Sequence, residues 1–111
     1  MAAFARMDVE GTVRLVTEDL VFVNSSSFTI HGREELRALL ESVAPRIRDG
    51  AWEIRNLLSS GDTVVTERID RLVLDGRPIE LPIMGIFELR GGLIAQWRDY
   101  FDPAVSGLEL E

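Results

Sequence analysis

The sequence predicts an α+β domain, a curved sheet packed on helices along one side and shaped as a cone with a central pocket. Three observations predict it. Leu36, Leu39, Leu40, Val43 and Ile47 recur at helical spacing. Four long runs rich in β-branched and aromatic residues fill most of 52–101. Between those runs stand Ser59-Ser60-Gly61-Asp62, Asp75-Gly76 and Gly91-Gly92, turn formers at hairpin spacing.

Taken in order, Asp8 can cap a short helix reaching Val16, with Val9, Val13 and Val16 on one side and Gly11 weakening it. Thr17, Glu18 and Asp19 read as a turn, Leu20–Asn24 as a short strand, and Ser25, Ser26 and Ser27 as a loop. A second helix starts near Gly32 and is ended or kinked by Pro45. Asp49-Gly50 marks another turn. The strands expected after it are Trp52–Leu58, Thr63–Leu74, Ile79–Arg90 and Leu93–Phe101, with Pro82 pointing to an edge position or a bulge. A cone made by such a sheet and its helices has room for one pocket.

Length and composition set bounds. The 111 residues make one domain with one modest core. The net charge of −7 argues against nucleic acid or an anionic membrane as a partner. Cysteine is absent, so there is no disulfide frame or thiolate nucleophile. With a single His, a zinc site would be mostly carboxylate, and no metal is expected. Every basic residue is Arg, which removes Schiff-base chemistry. No apolar run suits a membrane span, and Met1–Met7 does not read as a signal peptide, so a cytoplasmic location is expected.

The informative step is to divide the strands by face. In the last strand Leu93, Ala95, Trp97, Asp99 and Phe101 point one way, which strands a carboxylate between two aromatics. An ionised acid there is costly unless paired. Val64, Thr66, Arg68, Asp70 and Leu72 share one face of an earlier strand. Both faces of that strand are mixed, so periodicity does not choose between them. Asp99 needs a cation, however, and placing the Arg68 face against it sets one guanidinium between two carboxylates. Leu81, Ile83, Phe87 and Leu89 align as apolar neighbours, and Leu20, Phe22 and Asn24 share a face that brings an amide to the same cavity.

Two carboxylates and one Arg can hold two pKa values apart, so that one acid acts as general base and the other as general acid. That suits adding water across a strained or polarised substrate, with Asn24 orienting the water.

Thr66-Glu67-Arg68-Ile69-Asp70, Pro82-Ile83-Met84-Gly85-Ile86-Phe87 and Trp97-Arg98-Asp99-Tyr100-Phe101-Asp102 together resemble the limonene-1,2-epoxide hydrolase family. The similarity runs from about Asp8 to Asp102, and its closing hexapeptide is the most specific part. The resemblance implies a nuclear-transport-factor-2-like cone and one-step hydrolysis of a small apolar epoxide, without metal or organic cofactor, usually in a homodimer. It implies Asp70 as the general acid, Asp99 as the base, Arg68 as the bridge and Asn24 as a holder of the water. It places Leu72, Leu81, Ile83 and Phe101 on the substrate wall, where Phe22 and Trp97 are further candidates. Two departures stand out. Phe22 occupies the position of a family Tyr, which removes a hydrogen bond to the water worth about 1–3 kcal/mol. The chain reads as a single domain over residues 1–111, which is also expected to lack or shorten the family's first helix.

Other readings on the same fold are a cyclase or isomerase acting on a polyketide or steroid-like ligand, or a non-catalytic binding or dimerisation module. A homodimer is expected through the outer sheet face at Val65, Ile69, Val73, Ile94 and Tyr100. His31 reads as a turn residue, Trp52, Trp97 and Met84 as core, Arg33 and Arg37 as solvated helix charges, and Pro103 onward as a tail.

Overall fold

The computed structural model describes residues 2–25 and 28–102. The elements are α1 (Ala2–Ala5), α2 (Val9–Val13), β1 (Val16–Asn24), β2 (Phe28–His31), α3 (Arg33–Val43), a 3₁₀ turn (Ala44–Arg46), β3 (Ile47–Ser60), β4 (Thr63–Leu74), β5 (Arg77–Arg90) and β6 (Leu93–Tyr100). The strands form one sheet in the order β2-β1-β6-β5-β4-β3. Neighbours run antiparallel except β1 and β6, which are parallel. The helices lie on one side, giving the expected α+β cone. Among the described residues no helix is long and apolar enough to cross a membrane.

Local chemistry explains most boundaries. Asp8 caps α2, its Oδ1 accepting from the Gly11 N–H at 3.0 Å. The helix stops at Val13, short of the expected Val16, because Val16 is already paired with Ile94 across β1 and β6. The Leu15 carbonyl accepts from the Ile94 N–H at 2.8 Å, which anchors the strand start. Thr17, Glu18 and Asp19 therefore lie in β1, not in a turn. The pairing with β6 shifts register between Val16 and Val21, and both acids face solvent there.

The helix α3 buries Leu36 and Leu40, and its first turn carries Glu34 and Glu35. Glu35 Oε1 accepts from the His31 N–H at 2.8 Å, one residue before the Gly32 cap, which ties the helix start to the end of β2. His31 ends a strand that the sequence reading missed, paired with Val21 and exposed. The 3₁₀ turn around Pro45 breaks the helical stripe, so Ile47 opens β3. Asp49-Gly50 is a bulge inside β3, with Asp49 at φ 56° and the register shifting between Arg48 and Ala51. Gly50 is required because a Cβ there would collide with the Ala5 carbonyl. Pro82 faces Ile69 of β4, and β6 pairs with β5 only from Met84 onward. Residues 77–83 thus have a single strand neighbour, which tolerates the missing N–H. Of the expected serine loop, Ser26 and Ser27 lie outside the described residues, as does the expected tail from Pro103.

The main core joins Val13, Val16, Leu20, Phe22, Leu36, Leu40, Phe87, Ile94 and Trp97. Ile94 is thus a core residue, not part of the outer face, whereas Met84, expected in the core, is exposed. The bulge between Glu88 and Leu89 breaks the strand alternation beside it and turns the side chain inward. Trp97 anchors this core, stacked on Phe22 with centroids 4.1 Å apart and met edge-on by Phe4 at 4.7 Å. Ile79, Leu81 and Ile83 form a second cluster with Leu72, Leu74 and Phe101. The gap between the two clusters is the pocket.

Candidate active site

Alternation along β4 puts Thr66, Arg68 and Asp70 on the concave face, all buried. Gly85 of β5 lies between Thr66 on one side and Asp99 of β6 on the other. Its missing side chain is what lets Arg68 reach across β5. A Cβ at Gly85 would clash with Arg68 Nη1 and come within 2.8 Å of Asp99 Oδ1.

The guanidinium is fully buried and makes four hydrogen bonds. Nε donates to Asp70 Oδ1 at 2.7 Å and Nη2 to Asp70 Oδ2 at 3.2 Å. Nη2 also donates to Asp99 Oδ2 at 2.7 Å, and Nη1 to Thr66 Oγ1 at 3.2 Å. The Trp52 ring lies 3.8 Å from the guanidinium carbon, a cation–π contact. Trp97 Nε1 donates to the remaining oxygen of Asp99, Oδ1, at 2.9 Å. Asp99 thus receives one N–H on each oxygen.

Burial pushes the Asp70 carboxyl up to about 6. The Arg68 guanidinium opposes that rise and the Asp99 charge adds to it. For Arg68, burial pulls downward, but its two carboxylate partners outweigh it and raise the value. The site therefore holds a permanent cation and an acid that keeps its proton well above the usual carboxylate range.

Asn24 enters from β1, directly opposite Asp99 in the parallel pairing. Ser25 fastens this end of β1, its N–H donating to the Asp99 carbonyl at 2.7 Å and its hydroxyl to the Phe101 carbonyl at 3.0 Å. Asn24 Oδ1 is buried with no hydrogen-bond partner among the described residues.

The cavity above these groups is about 750 Å³. Asp70, Asp99 and Asn24 reach it, and Phe22, Leu72, Leu81, Ile83 and Phe101 line it. Trp97 does not. It is fully buried behind Phe22, so its face is spent on the aromatic stack and its N–H on Asp99. Sequence reasoning also passed over Thr66 and Gly85 as parts of the site. The available signal was the glycine itself, since a glycine inside a long strand marks a close approach by another group.

Residues 1–105 match the family model described as the limonene-1,2-epoxide hydrolase catalytic domain. The chain belongs to the limonene-1,2-epoxide hydrolase family. It is 33% identical over 85 residues to epoxide hydrolase EphG of Mycobacterium tuberculosis (strain ATCC 25618 / H37Rv). That stretch covers 77% of this chain and 56% of the relative, so the chain spans little more than half the relative's length. Among solved structures, a limonene-1,2-epoxide hydrolase-like epoxide hydrolase of M. tuberculosis superposes with TM-score 0.82 at 29% identity, covering 92% of this chain and 76% of that one. A nuclear-transport-factor-2-like protein of unknown function from Burkholderia pseudomallei K96243 superposes with TM-score 0.80 at 22% identity, covering 93% of this chain and 85% of that one. The last is a likeness of fold alone, that of the nuclear-transport-factor-2-like cone. Phe22 carries no hydroxyl, so Asn24 and Asp99 are the polar groups that the paired ends of β1 and β6 bring to the cavity.

Proposed function

We propose that the chain hydrolyses an apolar epoxide in one step. The observation that carries the reading is the buried Asp70–Arg68–Asp99 bridge at the floor of an apolar cavity. Ion networks of this kind stabilise a fold poorly compared with apolar packing, which favours a functional reason for keeping one.

In the proposed step the Asp99 carboxylate takes a proton from a water oriented by Asn24, and the water oxygen bonds to an epoxide carbon. The carbon–oxygen bond of the ring breaks as the Asp70 carboxyl gives its proton to the departing oxygen. Epoxide and water become a vicinal diol, Asp99 is left protonated and Asp70 ionised, and one proton returns from Asp99 to Asp70 by way of solvent. Arg68 holds both acids at fixed separation throughout.

Epoxides incubated with the protein in ¹⁸O-labelled water test this. One-step addition puts the label into the diol on the first turnover and none into the protein. An internal cyclisation leaves the mass unchanged, and the absence of any diol above background overturns the reading.

The raised Asp70 value sets a pH dependence. The acid must hold its proton, so kcat/KM is expected to fall about tenfold per unit above pH about 6. A profile flat from pH 5 to 8 would remove Asp70 from that role. The same group affects stability. Between its ordinary value and about 6 the folded chain binds this proton and the unfolded chain does not. Its contribution is complete below pH about 4 and is lost as pH rises through about 6, amounting to about 3 kcal/mol. Asp70→Asn is expected to remove that slope from urea unfolding free energies measured across the window.

The second proposal is a homodimer through the outer sheet face, where Val65, Ile69 and Val73 lie beside the exposed Met84 and Tyr100. A clean monomer by sedimentation at micromolar concentration would exclude it.

A further inference from the structure

We infer that the cavity takes epoxides whose apolar body ends, remote from the oxirane, in an anionic group, a carboxylate in the first instance, and that Arg77 holds this group. The inference rests on the epoxide-hydrolase reading of the cavity floor and goes on to name the substrate class.

The cavity has two polar ends. Asp70, Asp99 and Asn24 stand at one, and Arg46, Asp75 and Arg77 at the other. The strip between them is apolar, made by Leu72, Leu74, Ile79 and Leu81. The β4–β5 register sets the spacing, with Asp70 opposite Leu81, Leu72 opposite Ile79 and Leu74 opposite Arg77. Four residues along β4 separate the floor from the Arg77 level, roughly 13 Å of extended chain.

The two cations at the far end differ. Arg46 is committed to Asp75, with Nε at 3.1 Å from both carboxylate oxygens and Nη2 at 2.7 Å from Oδ2. Arg77 makes no hydrogen bond or ion pair among the described residues, though it lines the cavity. Two guanidinium groups against one carboxylate leave the mouth positive on a chain whose net charge is −7. The floor offers an anion no such partner, because Asp70 and Asp99 are the ionisable groups that face the cavity there, and the Arg68 guanidinium is buried behind them with its N–H groups given to Asp70, Asp99 and Thr66. The two ends together therefore orient a substrate that has an oxirane at one end and a negative charge at the other. The anion finds no partner at the floor and is received by Arg77, which leaves the oxirane over the acids.

The test compares the terminal epoxide of undecenoic acid with its methyl ester, which has the same chain but no charge. Undecanoate, which has no oxirane, serves as a binding probe by calorimetry at low salt. In Arg77→Gln the acid-to-ester ratio of kcat/KM is expected to fall about fivefold, and the Kd of undecanoate to rise by a similar factor, the size suited to an exposed ion pair. Turnover of both epoxides with an unchanged ratio, or equal binding of undecanoate by both proteins, overturns the anion site. Weakened undecanoate binding in the variant, with neither epoxide opened by the wild type, supports the anion site and overturns the hydrolase reading.

Discussion

Asp99→Asn is expected to lower kcat for epoxide opening by about a thousandfold, within the range that a positioned proton acceptor contributes. The reason lies in what the two oxygens of Asp99 touch. Oδ2 accepts from Arg68 and Oδ1 from Trp97, so both neighbours are donors. An asparagine amide has one acceptor end and one donor end. Whichever way it turns, its NH₂ faces either the guanidinium or the indole N–H. The variant therefore loses the base and also leaves a buried donor unmatched, at a cost of about 1–3 kcal/mol in stability. Initial rates of diol formation and urea midpoints are the two measurements. Trp97→Phe separates the two effects, because it removes the indole donor, keeps most of the aromatic stack and leaves the carboxylate on Arg68. If Asp99→Asn retains more than a tenth of wild-type kcat, Asp99 is not the base.

How much of this was readable beforehand follows from the range of each interaction. The α3 stripe and the β4 bounds were legible because helical period, strand alternation and turn chemistry are local, and residues 63–74 contain no irregularity within the strand. The Asp99 anomaly was legible for the same reason, since alternation alone places a carboxylate between Trp97 and Phe101. The start of β1 was not, because Thr17, Glu18 and Asp19 resemble a turn until the parallel pairing with β6 draws them into the sheet. The short β2 followed a serine run and carries too few residues to show a period. The bulges near Asp49 and Glu88 reset the alternation, which is why Gly50 looked like a turn and Ile94 like an outer residue. In the site, pairing of opposite charges was inferable from residue type. Depth was not, and Trp97 shows the limit. Alternation gives its direction, but only the stack with Phe22 and Phe4 sets it behind the cavity wall.

Gly85→Ala is expected to lower kcat/KM on the order of a hundredfold and to destabilise the fold, although it adds only one methyl group. Replacing glycine by alanine at a backbone position that alanine can adopt ordinarily stabilises a protein by about 0.4–1 kcal/mol, through the unfolded chain. The Gly85 φ is not among the positive values in this chain, so backbone strain gives no objection. The objection is steric and chemical together. The new Cβ meets Arg68 Nη1, Asp99 Oδ1 and, at 3.1 Å, Thr66 Oγ1. None of these can yield freely, because Arg68 is held by both acids and covered by Trp52. Moving the guanidinium by about 1 Å lengthens its bonds to both carboxylates at once, and a misplacement of that size in a reacting geometry costs about a hundredfold. A sign reversal in stability, from the usual gain to a loss, would come from the bridge being strained and not from the backbone. Urea unfolding of Gly85→Ala beside the double variant Gly85→Ala, Arg68→Ala reads this directly. With the guanidinium gone, the alanine methyl gains room, so the cost of the Gly85 substitution is expected to shrink in that background. Equal costs in both backgrounds would mean that the glycine does not make the space through which Arg68 joins the two acids.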